Sequence, residues 1–150
     1  MKTPLIVPIT EDNIAAAGSI HSLSWQESHR SFCSAAFIAK HTPQAQTLYL
    51  QRELASGKKG FMIIDEVPLG IVTIHGSLIE NLYILPEHQR RGYGSMLLEF
   101  AIEQCASVPT LFILSNNDDA RRLYERRGFR STGRINKLTD TLDECEYALR

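Results

Sequence analysis

The stretch Gln89-Arg90-Arg91-Gly92-Tyr93-Gly94 gathers amide and guanidinium donors, positive charge and two residues without a Cβ into one short loop. Leu78–Leu85 before it is an apolar run of strand length, and Pro86 closes that run because proline cannot donate to a ladder. Met96–Cys105 after it changes period. Leu97, Ala101 and Cys105 lie four apart, as do Leu98 and Ile102, which describes an amphipathic helix. The first N–H groups of a helix lack intrahelical acceptors, and the helix dipole is positive there. Gly92 and Gly94 would let a bulky anion approach that backbone, so strand, glycine loop and helix together form a phosphate cradle. The glycines alone would better suit an ordinary basic surface turn. A dinucleotide fingerprint would need a third glycine where Leu97 stands, and a P-loop would need Gly-Lys-Ser/Thr, which is missing.

The surrounding pattern supplies the elements that must position this loop. Leu5–Ile9 reads as a strand, and Thr10 or Asp12 can cap a helix running towards Trp25 with Ile14, Ala17 and Ile20 on one side. Thr42-Pro43 opens another helix, which Gly57 ends. Phe61–Ile64 and Leu69–His75 are strands joined by a turn at Asp65–Pro68, and Gly76-Ser77 leads into the strand before the loop. Beyond the central helix, Pro109 breaks the chain and Thr110–Leu114 reads as a buried strand of parallel-sheet type. Ser115 or Asn116 caps a helix carrying Ala120, Leu123 and Tyr124, and Gly128 caps its other end. Phe129–Arg134 and Glu144–Leu149 then read as closing strands. The order βαα-βββ-α-β-α-ββ gives an α/β (α+β) chain with a mixed, largely antiparallel central sheet of six to seven strands flanked by helices.

At 150 residues the chain is expected to form one domain with a real core. Its apolar and charged fractions, 43% and 22%, are those of a globular protein, and a net charge of −1 provides no global field for nucleic acid or an acidic membrane. No apolar run reaches membrane-spanning length, and the segment from Met1 to Pro8 lacks a long apolar region, so the cytoplasm is the expected compartment. Cys33, Cys105 and Cys145 are widely spaced and no Cys/His cluster accompanies them, so no metal is expected. A nucleophilic role for Cys33 ranks below a structural one.

The string Leu82-Tyr83-Ile84-Leu85-Pro86-Glu87, followed by Gln89-x-x-Gly92-x-Gly94 and an amphipathic helix, resembles the GNAT superfamily of acyl-CoA-dependent N-acyltransferases. A second block, Asn117-Asp118-Asp119-Ala120-Arg121-Arg122-Leu123-Tyr124-Glu125-Arg126-Arg127-Gly128-Phe129, is similar to that family's later Asn-x-x-Ala-x-x-x-Tyr-x-x-x-Gly-Phe signature. The likeness spans roughly residues 60–135, with the blocks in the family's order. It implies acetyl-CoA as co-substrate, direct attack by an amine in a ternary complex, and strands around Leu82 and Leu111 that splay to admit the pantetheine arm. It also implies that Gln89, Arg90, Arg91, Gly92, Tyr93 and Gly94 hold the pyrophosphate and that the backbone of Tyr83, Ile84 and Leu85 meets pantetheine. Asn117 would make a polar contact to the coenzyme, and Tyr124 would stand beside the sulfur as general acid.

Chemistry agrees with the last role. A phenol titrating near ~10 keeps its proton at neutral pH and can protonate a departing thiolate. Ala120, Leu123 and Tyr124 also make an apolar stripe that would serve packing alone. Glu80, a carboxylate in an otherwise apolar strand, is the first candidate for general base, because burial would raise its pKa; it equally suits a strand-edge carboxylate in water. His75 is the second candidate, placed to face Glu80 across the hairpin, and His88 reads as an exposed loop residue. No Ser/His/Asp or Cys/His set suggests an acyl-enzyme. His21, Trp25 and His29, with Phe32, are the candidates to line an acceptor site, holding an amine by stacking or cation–π contact. For Trp25 an anchor between helices and sheet ranks ahead of that role. These readings converge on an N-acetyltransferase for a primary amine of a small molecule or peptide. No nucleic-acid or membrane partner is expected, and a homodimer through the C-terminal strands is compatible. The alternative is a non-catalytic acyl-CoA-binding domain on the same fold.

Overall fold

The computed structural model describes residues 3–150. The chain opens with strand β1 (Leu5–Pro8) and helix α1 (Ile14–His29), then a short helix α2 (Ala35–Ala39) and helix α3 (Pro43–Ala55). Strands β2 (Lys59–Asp65), β3 (Val67–His75) and β4 (Leu78–Ile84) form a meander, and a 3-10 turn at Pro86–His88 leads to helix α4 (Tyr93–Gln104). Strand β5 (Thr110–Leu114), helix α5 (Asp118–Arg127) and strands β6 (Phe129–Lys137) and β7 (Asp143–Leu149) complete it. The fold is the expected one: a seven-stranded sheet in the order β1-β2-β3-β4-β5-β7-β6, antiparallel except between β4 and β5.

Some local expectations shift. The helix towards Trp25 continues through Ser22–His29, and Asn13 stands at its N-cap in place of Thr10 or Asp12. Asn13 Oδ1 accepts from the Thr10 N–H at 2.8 Å, which turns the chain into the helix. Asn117 caps α5 where Ser115 or Asn116 was expected; its side chain accepts from the Ala120 N–H at 3.1 Å. Helix α2, absent from the periodicity, has no buried residue and is held by Ser34 at its N-cap.

Two cores flank the sheet. Ile14, Ala17, Ile20 and Leu50 of α1 and α3 pack on Met62 and Ile71 on one face. Leu97, Leu98 and Ala101 of α4 pack on Ile63, Val72, Ile74, Ile79 and Ile84 on the other, where Leu111, Ile113, Phe129 and Tyr147 extend the cluster. The strand pattern explains the division, since neighbouring side chains point to opposite faces.

Two irregularities interrupt β4. The register with β3 moves from Thr73↔Glu80 to Ile71↔Tyr83, so β4 carries one extra residue there. Asn81 at this bulge takes φ +52°, a left-handed conformation that asparagine tolerates better than most residues. On its other side β4 pairs with β5 at Leu78↔Thr110 alone, and the strands then part.

Helix α1 reaches α3 closely at Gly18, where a Cβ would stand 2.9 Å from the Thr47 Cα. Gly18→Val should therefore lower the free energy of unfolding by about 1–3 kcal/mol through overpacking, measured by denaturant titration.

Candidate active site

The divergence of β4 and β5 opens a cleft of roughly 1380 Å³. Leu82, Tyr83 and Ile84 form one wall and Leu111–Leu114 the other. Gln89, Arg90, Gly92, Gly94 and Ser95 lie at the α4 end, while Asn117, Ala120, Arg122, Tyr124 and Arg126 approach from α5. Ser24, Glu27, Ser28 and His29 of α1, with Ser31 and Phe32, close the remaining side.

The α4 end has the features of an anion cradle. Gly92, the N-cap, takes φ +88° and Arg90 takes φ +66°. Such alternation of hand turns successive N–H groups towards one side, and the N–H groups of the first helical turn have no intrahelical acceptor. A Cβ at Gly94 would meet nothing closer than 3.8 Å, so this position leaves open space in front of the helix. Arg90, Arg122 and Arg126 line the same cleft, together with Asp119, which pairs with Arg122 at 2.7 Å, and with Glu27, Glu80 and Glu144.

The loop residues do not all face inwards. Gln89, Arg90, Gly92 and Gly94 line the cleft; Arg91 and Tyr93 do not. Tyr93 turns away and donates to Asp65 at 2.5 Å, a bond that raises its phenol pKa. Tyr83 and Ile84 also line the cleft, but the Leu85 N–H is committed to the Leu69 carbonyl at 2.8 Å and Leu85 lies outside. Gln89 Nε2 donates to the Ile84 carbonyl at 3.0 Å, tying the loop to the end of β4. Asn117 commits its oxygen to the α5 cap, which leaves its amide nitrogen to donate to a ligand. Ser95, Arg122 and Arg126 join the lining without having been expected there. Arg122 and Arg126 are one helical turn apart, the spacing that puts both on one face of α5.

Tyr124 and Tyr83 bring two phenols to the cleft. Burial pushes Tyr124 up to about 12. Burial also raises Tyr83, and charge on Tyr124 would raise it further. Tyr124 meets Phe129 edge-on at 5.9 Å, so it packs as well as lines. Glu80 lines the cleft, but its environment is not the apolar one expected. Its carboxylate pairs with Lys58 at 2.9 Å, its side chain is 30% exposed, and Lys58 also pairs with Glu53 at 3.0 Å. His75 sits opposite Leu78, not Glu80, and is exposed.

The three acceptor-side candidates separate. His29 lines the cleft, whereas His21 and Trp25 line a smaller chamber of roughly 210 Å³ with His41, Gln46, Tyr49, Asn81 and Tyr83. Trp25 is stacked on both His29 and His41, with ring centroids 3.9 and 3.5 Å away and tilts of 11° and 12°. Two rings cannot share one face at those distances, so the indole is sandwiched. It has no free face for the stacking or cation–π contact expected of it, and it ties α1 to the segment before α3.

The model of the acetyltransferase (GNAT) domain family matches residues 49–131. The chain belongs to the GNAT family. The PaiA N-acetyltransferase of Thermoplasma acidophilum, solved in complex with coenzyme A, is 14% identical over 98% of this chain and 99% of that one, with a TM-score of 0.71. A GCN5-related N-acetyltransferase of Rhodopseudomonas palustris is 20% identical over 99% and 96%, with a TM-score of 0.74. YncA of Salmonella typhimurium, solved with its cofactor acetyl-CoA, is 18% identical over 99% and 94%, with a TM-score of 0.71. At these identities the likeness establishes the fold. No curated protein matches the chain.

The imidazole of His21, 3% exposed, is lowered to about 4 by burial first and by His41 and His29 second. A histidine kept neutral in the fold contributes stability above its unfolded pKa of 6.5 and loses it as pH falls from 6.5 towards 4. Wild type should therefore lose roughly 3 kcal/mol more stability than His21→Gln between pH 7 and pH 4, measured by denaturant titration at each pH.

Proposed function

We propose that this GNAT-family chain transfers the acetyl group of acetyl-CoA to a primary amine of a small molecule or peptide by direct attack in a ternary complex. The observation that carries the proposal is the cleft itself. A helix N-terminus with open space at Gly94 lies at one end, a buried protonated phenol stands inside, and the end of α1 flanks the rest. The donor set suits a diphosphate: first-turn N–H groups of α4, Gln89, Arg90 and the guanidinium groups of α5. Bound acetyl-CoA would supply a thioester carbonyl and a thiol leaving group.

In this reading the α4 end binds the coenzyme's phosphates and Asn117 donates its remaining amide hydrogens. The Tyr124 hydroxyl donates a hydrogen bond to the sulfur as negative charge develops there. A phenol at about 12 remains protonated throughout the neutral range. The same desolvation that raises it would raise a thiolate beside it, which keeps the proton transfer within reach. Glu80 serves as general base for the amine directly or through water, positioned by Lys58. The non-catalytic alternative, an acyl-CoA-binding domain, shares the cradle and differs only at Tyr124 and Glu80.

Three substitutions test the scheme. Gly94→Glu sets a carboxylate against the phosphates at a position whose Cβ is accommodated, and should weaken acetyl-CoA binding by about tenfold or more in calorimetric titration while the thermal midpoint is little changed. Tyr124→Phe keeps the ring against Phe129 and should lower kcat by about a hundredfold with acetyl-CoA affinity within about twofold, as should Glu80→Gln. Wild-type acetyl-CoA binding without turnover on any amine would favour the non-catalytic reading.

A further inference from the structure

The chamber beside the cleft is chemically unlike the cleft. Its walls are rings, imidazoles and amides, with no carboxylate and no lysine or arginine among the described residues that line it. Asn81 and Tyr83 line both spaces, so the chamber adjoins the cleft at the β4 bulge. At roughly 210 Å³ it exceeds the ~150 Å³ that suffices to admit a benzene ring.

Its walls carry both acceptors and donors: the bond from Gln46 Nε2 to His21 Nδ1 leaves the His21 Nε2–H as a donor, and the Trp25 indole N–H and the Tyr83 hydroxyl have no partner among the described residues. Asn81 Nδ2 donates to the Tyr49 hydroxyl at 3.1 Å and to Thr73 Oγ1 at 3.0 Å. The Thr73 hydroxyl in turn donates to the Glu80 carbonyl, which fixes this orientation of the amide. Asn81 Oδ1 is then left without a partner among the described residues. Gln46 directs its Nε2 to His21 Nδ1 at 3.5 Å, leaving Oε1. His41 Nδ1 donates to the Phe37 carbonyl at 3.1 Å. A cation would find acceptors here but no counter-charge, in surroundings that already lower His21 to about 4. An anion would find donors but no lysine or arginine on the walls. A neutral group that both donates and accepts satisfies the groups present.

We propose that the chamber receives the remote end of the acceptor, and that this end is an uncharged group that both donates and accepts hydrogen bonds, of which a primary carboxamide is the simplest. The inference rests on the transferase reading above and specifies its substrate class: amines that carry such a neutral group, in preference to diamines, amino acids with a free carboxylate, or plain alkylamines.

The test uses ω-amino carboxamides of increasing chain length, each compared with the carboxylate, ammonium and methyl analogue of the same length. At one chain length kcat/KM for the carboxamide should exceed that of all three analogues by about tenfold or more, the worth of one to two net hydrogen bonds. Gln46→Leu should cut that preference to about threefold or less, with acetyl-CoA affinity reporting that the variant is folded. Trp25, the only tryptophan, lines the chamber and should change its fluorescence as the preferred carboxamide is titrated in, without any need for turnover. Preference for an analogue, a preference indifferent to Gln46→Leu, or transfer without a fluorescence response would overturn the chamber assignment. A saturable fluorescence response with no transfer to any amine would overturn the transferase reading and leave the chamber standing. Neither response would overturn both.

Discussion

The structure depends on a parting of two strands. β4 and β5 run parallel and touch at Leu78↔Thr110, after which each edge loses its neighbour. A strand edge with unpaired backbone groups is costly inside a sheet and invites another extended chain to pair with it. What keeps this one open is packing elsewhere. α4 pins β3 and β4 from one face through Leu97, Leu98 and Ala101, and β7 pins β5 through five paired residues from Thr110↔Ala148 to Leu114↔Glu144. Each half of the sheet is complete on its own side, so the gap does not depend on a ligand to hold it. The bulge at Asn81 adds a local twist to β4 where the gap begins to widen.

The same arrangement brings both signs of charge to the cleft. Arg90, Arg122 and Arg126 come from the two helices that begin beside the gap and the loop leading into one of them, and both helices present their positive ends towards it. α1 contributes hydroxyls, an imidazole and Glu27 from its C-terminal half. Arg122 is already paired with Asp119, so Arg90, Arg126 and the helix N-termini carry the attraction for an anion, without any global field in a chain of net charge −1.

Much of this was legible in the sequence where the signal is local. The change of period between Leu78–Leu85 and Met96–Cys105 located β4, the loop and α4, and Thr110–Leu114 coincides with β5. What resisted reading depends on direction or distance. Whether Arg91 or Tyr93 faces the cleft follows from the left-handed residues at 90 and 92, and Arg90 gives no sign of that in its type. Helix α2 has five residues and buries none, so it leaves no apolar period. The neighbours that define Glu80 and Trp25 are remote in sequence: Lys58 arrives from the turn before β2, and His41 from the turn before α3. Each residue allowed two readings in the sequence, and these neighbours favour the paired carboxylate and the anchoring indole.

Polar groups without protein partners gather in one place. Ser24 Oγ is buried and unpaired among the described residues, and it lines the cleft. The hydroxyls of Tyr83 and Tyr124 are raised by burial and charge, with no hydrogen bond contributing to either shift. A buried hydroxyl left unsatisfied costs about 1–3 kcal/mol, which a fold selected for stability alone would remove by Ser→Ala or Tyr→Phe. Ser24 Oγ, with the two phenols beside it on the walls of one cleft, is better understood as a group whose partner arrives with the ligands. The desolvation that makes the serine costly in the free protein is also what would make hydrogen bonds at this site strong once formed.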